Sequence, residues 1–275
     1  MVGRDELPNA VALNASLFNA SRVIGPAIAG VLIAATSVGV CFAINAVSFL
    51  AVLASLRLLR TEELTPVVRH ETRVVSGIRE GLAWARRAPI ARTVLVVVTV
   101  VSLAGFNFHV LVPLLASETL DVGAETFGIL SAAFGLGALA GALFTATLRE
   151  TSPRVFVGGG VGFSLVMLAL ATVESVPAAL VLLFVLGISF SLFTASANAL
   201  VQLASPDHLR GRVVSLYLFA FAGLAPIGGL VAGWLAQVGG TGLAFGVAGL
   251  SGLAAVAWAA PRLSAVSRVP ASTEG

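Results

Sequence analysis

The sequence predicts an all-α membrane protein with eight transmembrane helices, and three observations carry that expectation. Long apolar stretches separate nearly every charge, the arginines fall only in alternate gaps between them, and runs such as 94–101 lack the alternating polarity of a membrane barrel. Composition agrees. At 58% apolar, 11% charged and a mean hydropathy of +1.02, the chain has too little polar residue to coat a soluble globule of its length.

The spans read as residues 10–35, 40–56, 93–116, 127–148, 155–173, 177–203, 213–236 and 241–260. Each can cross a hydrocarbon core of about 30 Å as a helix. The segments 57–92, 149–154 and 204–212, with both termini, hold every arginine except Arg22, whereas the other gaps hold Glu118, Asp121, Glu125 and Glu174. The positive-inside rule therefore places both termini and the long 57–92 segment in the cytoplasm.

That orientation also explains a pI near 10.4, since the basic residues are spread over separate loops and the net charge is only +3. Nucleic acid is not an expected partner; the lipid bilayer is. Cys41 is the one cysteine, so neither an intramolecular disulfide nor a cysteine-based metal motif can form. The opening residues Met1–Pro8 are polar and lack the plan of a cleaved signal, which leaves insertion to the first internal span.

A weak repeat links the two ends. Asp5, Leu7 and Val11 match Asp207, Leu209 and Val213, and Gly25, Gly30, Gly39 and Phe42 match Gly228, Gly233, Gly242 and Phe245. Because span one then corresponds to span seven, the repeat unit is six helices, and spans three to eight form one whole unit. The expected organisation is residues 1–58 as the last two helices of an N-terminal half and 59–92 as a cytoplasmic linker. Residues 93–262 then form a complete C-terminal six-helix half, and 263–275 a cytoplasmic tail. Parallel units of this kind are the plan of a transporter with a midplane site between its halves. Within the linker, Val74, Ile78, Leu82 and Ala85 fall at helical spacing with Arg73, Arg79, Arg86 and Arg87 largely elsewhere, which predicts an amphipathic surface helix. A flexible linker is the alternative, since Pro66 and Gly77 weaken helices.

Several segments resemble the major facilitator superfamily, in its enterobactin-exporter-like or transmembrane secretion effector branch. They are Asn14, Asn19, Arg22, Gly25-Pro26-Ala27 and Ala29-Gly30; Phe42, Asn45 and Ser48-Phe49-Leu50; Glu80-Gly81-Leu82; and Leu209-Arg210-Gly211-Arg212-Val213. The resemblance covers nearly the whole chain and aligns the first two spans with the family's fifth and sixth helices. Gly25-Pro26-x-x-Ala29-Gly30 is similar to the fifth-helix motif associated with antiporters, with Ala29 in place of a usual glycine. Segment 149–154 keeps only the basic character of the family's loop between helices eight and nine. The resemblance implies a multi-pass protein of the bacterial inner membrane that exports a small hydrophobic or amphipathic molecule of drug or siderophore type. Alternating access coupled to protons is the implied mechanism, with no cofactor.

Candidate functional residues follow. Arg22, Gly25, Pro26 and Gly30 form the antiporter-like element: Pro26 removes a backbone donor and the glycines permit close helix approach, giving either a fulcrum or a static packing kink. Arg22 would lie about 12 Å deep by helix rise, where a charge costs roughly 2.5–3.5 kcal/mol. A gating or structural contact, snorkelling, and substrate binding all remain open to it. Asn19, Asn45, Asn107 and His109 are cavity-lining candidates, His109 also as a neutral-pH titrating group or a packing residue. Ser191, Thr194, Asn198 and Gln202 recur at steps of three and four, a stripe that serves as a cavity wall or as interhelical hydrogen bonds worth about 0.6 kcal/mol each. Gly137-x-x-x-Gly141 and Gly229-x-x-x-Gly233 predict close helix contacts. No carboxylate lies in the interior of a span, so a proton-coupling acid is expected on helices preceding these. No motif unites nucleophile, base and oxyanion donors, which argues against an enzyme. The alternative to a transporter is a non-transporting fragment, or a partner of a separate chain that supplies further helices.

Overall fold

The structure is a computed structural model that describes residues 32, 36–58, 74–148, 152–206 and 209–266. Within these it is all helical. Helix α1 is Val38–Arg57, α2 is Val74–Arg87 and α3 is Pro89–Gly105. Helix α4, Phe108–Leu114, continues through a π turn at Leu115–Thr119. Helices α5, α6 and α7 are Ala124–Thr147, Pro153–Leu170 and Val176–Leu203. Helix α8, Arg210–Leu218, passes through a second π turn at Phe219–Gly223 into α9, Ala225–Val266.

Local sequence accounts for the starts. Pro89, Pro153 and Pro177 sit in the first turns of their helices, where a missing N–H costs nothing and the fixed φ favours helix entry. Ser37 caps α1 by accepting the Val40 N–H at 3.4 Å.

Six runs among the described residues are long and apolar enough to cross a membrane, the last being the 55 residues Arg210–Ser264. A straight helix of that length would span about 80 Å, well beyond one bilayer. The break lies at Gly239 and Gly240, where Gly240 adopts φ 75°, a conformation that favours glycine. The second arm then runs back along the bundle. Thr241 near its start bonds hydroxyl to hydroxyl with Thr119 at the end of the first π turn, and Leu263 near its finish lines a groove with Pro153 at the start of α6. The expected spans 213–236 and 241–260 are these two arms. The expected span 10–35 lies, apart from residue 32, outside the described residues.

Helix α5 packs on α7, α7 on α6, α6 on α9, and α9 on α3. Buried Phe156, Phe163, Phe193, Phe245, Leu183 and Met167 fill the interior. Outward residues such as Leu143, Phe144, Val181, Leu230 and Leu250 are exposed although apolar, the surface expected of a bundle whose solvent is lipid. Helix α1 is different. From Gly39 to Leu58 every residue is exposed except half-buried Cys41.

The closest packing is the α5–α7 seam. A Cβ on Gly137 would overlap the Phe184 carbonyl, one on Gly187 would overlap the Phe134 carbonyl, and one on Gly141 would sit 2.6 Å from the Ile188 oxygen. The expected contact at Gly137-x-x-x-Gly141 is therefore present. The one expected at Gly229-x-x-x-Gly233 is not: a Cβ on Gly233 meets nothing within 4 Å and one on Gly229 makes only ordinary contact. Their neighbour Gly228 takes the close approach, because its side of α9 faces the broken part of the α3–α4 helix.

Residues Val74–Arg87, in the segment expected to link the halves, form a helix. Gly81 and Ala85 are buried, and a Cβ on Gly81 would lie 3.3 Å from the Arg212 Cβ, so this face docks onto α8. Glu80 and Arg212 form an ion pair across the same contact. Leu82, expected on the lipid-facing stripe, is 38% exposed. The bundle thus has an arginine end, where α2 meets α8, and a carboxylate end, where Glu118 and Asp121 flank Thr119.

Candidate functional site

The site begins where two helices break beside each other. Between α3 and α4, Phe106 and Asn107 leave helical geometry, with ψ of 23° and 40°. Asn107 holds the interruption together: its Nδ2 donates to the Leu103 carbonyl at 3.0 Å, and its own carbonyl accepts from the Val110 and Leu111 N–H groups at 2.9 Å. Opposite it, the π turn Phe219–Gly223 packs against α3, and Pro226 lacks an N–H for the helix that follows. Gly228 then presses onto the break. Its Cβ would lie 2.6 Å from the Leu103 carbonyl and 2.8 Å from Asn107 Nδ2. Breaks and π turns loosen the backbone ladder and are frequent where helices bend in function.

Around this junction lies an aromatic cluster drawn from five helical segments. Phe106 meets Phe163, Phe190 and Phe221 with ring centroids 5.4, 5.1 and 5.3 Å away, edge to face, and Phe108 lies 4.6 Å from Phe134. Tyr217 stacks on Phe221 and donates to the Thr194 carbonyl at 3.1 Å. Edge-to-face pairs of this kind contribute about 0.5–1.5 kcal/mol each beyond the area they bury.

The polar stripe on α7 divides in two. Ser191 is buried and donates to the Ala138 carbonyl at 2.6 Å across the α5–α7 seam, so it is an interhelical bond. Thr194 turns back to the Phe190 carbonyl at 2.8 Å. Asn198 and Gln202 are half-buried and paired, Gln202 Nε2 donating to Asn198 Oδ1 at 3.0 Å. Asn107 is buried at 4% exposure and is occupied by the break. His109 is exposed and lines a cleft of about 680 Å³ with Pro113, Glu118, Gly229, Trp234 and Gln237. Asn45 is exposed on α1, where its carbonyl accepts the Ser48 hydroxyl at 2.7 Å. Asn14, Asn19, Arg22, Gly25, Pro26 and Gly30 lie outside the described residues.

The structure thus brings together Asn107, Gly228 and the phenylalanines, of which the sequence singled out Asn107 alone as a site residue. A signal was present in Phe106-Asn107-Phe108, an amide between two rings inside an apolar run, and in Pro226 followed by Gly228 and Gly229. Glu118, expected in the gap after the span 93–116, lies inside the π turn that ends that crossing and lines the His109 cleft.

Membrane-length helices, two of them interrupted at a shared contact, are those of a multi-pass membrane protein. The chain belongs to the transmembrane secretion effector family of the major facilitator type, which it matches over residues 1–272. That is a family of transporters, not enzymes. The chain is 27% identical over 239 residues to the multidrug efflux pump Tap of Mycolicibacterium fortuitum, covering 85% of this chain and 58% of that protein. It is 28% identical to the uncharacterized MFS-type transporter YfiS of Bacillus subtilis (strain 168), over 88% of this chain and 60% of the relative. It is also 25% identical to the staphyloferrin A transporter of Staphylococcus aureus, with the same coverage of each. The chain spans about six-tenths of the length of these relatives.

Proposed function

We propose that the chain carries the last eight helices of an exporter that moves small hydrophobic or amphipathic molecules, of drug or siderophore type, out of a bacterial cell by alternating access. In this reading residues 1–58 close an N-terminal half, 59–92 link the halves, 93–262 form the C-terminal half, and the arginine end faces the cytoplasm with both termini. The observation that carries the reading is the junction of Phe106–Asn107 with Gly228: two interrupted helices meet inside an aromatic cluster, in a chain of a transporter family. Asn198, Gln202 and His109 then contribute to the cavity wall, and the Gly25-Pro26 element to gating. Protons are the proposed coupling ion.

The test is efflux. Inverted vesicles containing the full-length exporter to which these eight helices are proposed to belong, given a proton gradient, should accumulate a lipophilic dye or a siderophore faster than empty vesicles, and collapsing the gradient should stop them. Equal uptake in both would sink the proposal. Orientation is tested separately by a reporter active only outside the cytoplasm: fused at Asp121 it should respond, fused at Ser152 it should not, and the opposite result would reverse the topology.

A second reading is favoured by the exposure of α1 on nearly every side, which suits a helix that pairs with segments from a separate chain. Uptake that appears only on co-expression of such a chain would select it.

A further inference from the structure

Away from the helix breaks, a groove of about 660 Å³ runs between the first turns of α6 and the last turns of α9. Its floor is apolar, made by Val157 and buried Leu263, and its rim is polar, made by Ser152, Arg154 and Ser264. There is room in it: a Cβ on Gly158 would meet no atom within 4 Å. We propose that this groove binds an anionic phospholipid, with the headgroup phosphate at Arg154 and an acyl chain along Val157 and Leu263.

Three observations select this occupant. The first is depth. On the α9 turn beside the groove, the Arg262 guanidinium lies 4.2 Å from the centre of the Trp258 ring and donates to the Trp258 carbonyl. A half-exposed tryptophan carrying an arginine that curls back along it marks the headgroup level of a membrane protein. The groove therefore crosses the boundary between headgroups and acyl chains.

The second is charge. Among the described residues the arginine end holds Arg79, Arg86, Arg87, Arg92, Arg154 and Arg262, while Arg212 engages the carboxylate of Glu80. Arg154 is exposed, and no described carboxylate lines its groove. A zwitterionic headgroup would bring its own cation toward this field, whereas an anionic one brings only the charge that the field attracts.

The third is the shape of the polarity. A free phosphate would satisfy Arg154 and leave the apolar floor against water, and a hydrocarbon chain alone would cover the floor and leave Arg154 facing it. One molecule with both parts covers both surfaces. The site owes nothing to transport, so it stands or falls apart from the exporter reading.

Quenching of Trp258 tests it. In the full chain with Trp84→Phe and Trp234→Phe, so that one tryptophan remains, brominated phosphatidylglycerol in mixed nanodiscs should half-saturate the quench at a mole fraction about fivefold below brominated phosphatidylcholine. That is the factor implied by one arginine's attraction to an anionic lipid, ~1 kcal/mol. Arg154→Gln should remove the preference and Arg154→Lys should keep it. Gly158→Leu, which fills the groove in open space, should weaken quenching by both lipids while helix content by circular dichroism stays unchanged. Equal quenching by the two lipids in the unaltered groove, or a preference that survives Arg154→Gln, would overturn the proposal. So would displacement of the brominated lipid by soluble glycerol phosphate, which would make this an anion site and not a lipid site.

Discussion

Replacing Gly187 with leucine is expected to destroy the packed bundle, and the reason lies in backbone atoms, not side chains. A Cβ at Gly187 would overlap the Phe134 carbonyl, and its counterpart at Gly137 would overlap the Phe184 carbonyl, so α5 and α7 touch main chain to main chain in both directions. A clash with the end of a flexible side chain relaxes by a rotamer change. A carbonyl inside a helix cannot move without the helix. Overpacking in ordinary cores costs about 1–3 kcal/mol, and here separation of the helices would also break the Ser191 bond to the Ala138 carbonyl and undo the Gly141 contact with Ile188. In a membrane, close packing and such bonds are what hold helices together, since lipid is as apolar as leucine. The melting temperature of the detergent-purified protein should fall by on the order of 10 °C or the protein should fail to accumulate. Gly233→Ala and Gly158→Ala, whose added methyls meet nothing within 4 Å, should melt with the unaltered chain. If Gly187→Leu melted with them, the seam would not be the anchor described.

That seam shows what the sequence could and could not convey. Gly137 and Gly141 were readable as a close contact because small residues four apart in an apolar run leave one flat helical face. Gly229 and Gly233 have the same spacing and make no such contact, because spacing specifies a face without specifying the neighbour. The same ambiguity divided the α7 stripe: periodicity put Ser191, Thr194, Asn198 and Gln202 on one side of a helix, and packing decided that Ser191 would bond to Ala138 and Gln202 to Asn198. Helical character was legible throughout the described residues, since length and apolarity need no tertiary information. The linker helix was legible from the spacing of Val74, Ile78, Leu82 and Ala85, although the face it buries is set by Gly81 and Ala85 against α8. The breaks left only partial traces. Asn107 between two rings marks the first, and Pro226 with Gly228 and Gly229 follows the second, whereas the π turns at Leu115–Thr119 and Phe219–Gly223 carry no distinctive residue pattern. Which helix each break faces is set by packing, information that no local window holds.

Transport itself should depend on Gly228 more than on the adjacent Gly229. Alternating access needs helices that change their bend without losing their packing, and at one junction of the described bundle two interrupted helices lie side by side: Phe106–Asn107 on one side, and the π turn with Pro226 on the other. At Gly228 an added methyl would lie 2.6 Å from the Leu103 carbonyl and 2.8 Å from Asn107 Nδ2, so Gly228→Ala wedges the two interrupted helices apart at the place where the proposed mechanism has them bend. At Gly229 the same methyl would find Val110 at 3.6 Å, an ordinary contact. In the vesicle assay, Gly228→Ala should slow dye accumulation about tenfold, the effect of ~1.4 kcal/mol on the population able to switch. Gly229→Ala should transport at close to the unaltered rate. Expression level and helix content should be alike for the two, because one methyl at a junction that is already irregular disturbs bending more than folding. Asn107→Ala adds an independent arm: losing the bond to the Leu103 carbonyl costs only about 0.6 kcal/mol in a membrane setting, yet it frees the break and should also slow transport. Equal rates for Gly228→Ala and Gly229→Ala would show that the junction is a static packing defect and that the moving elements lie elsewhere in the chain.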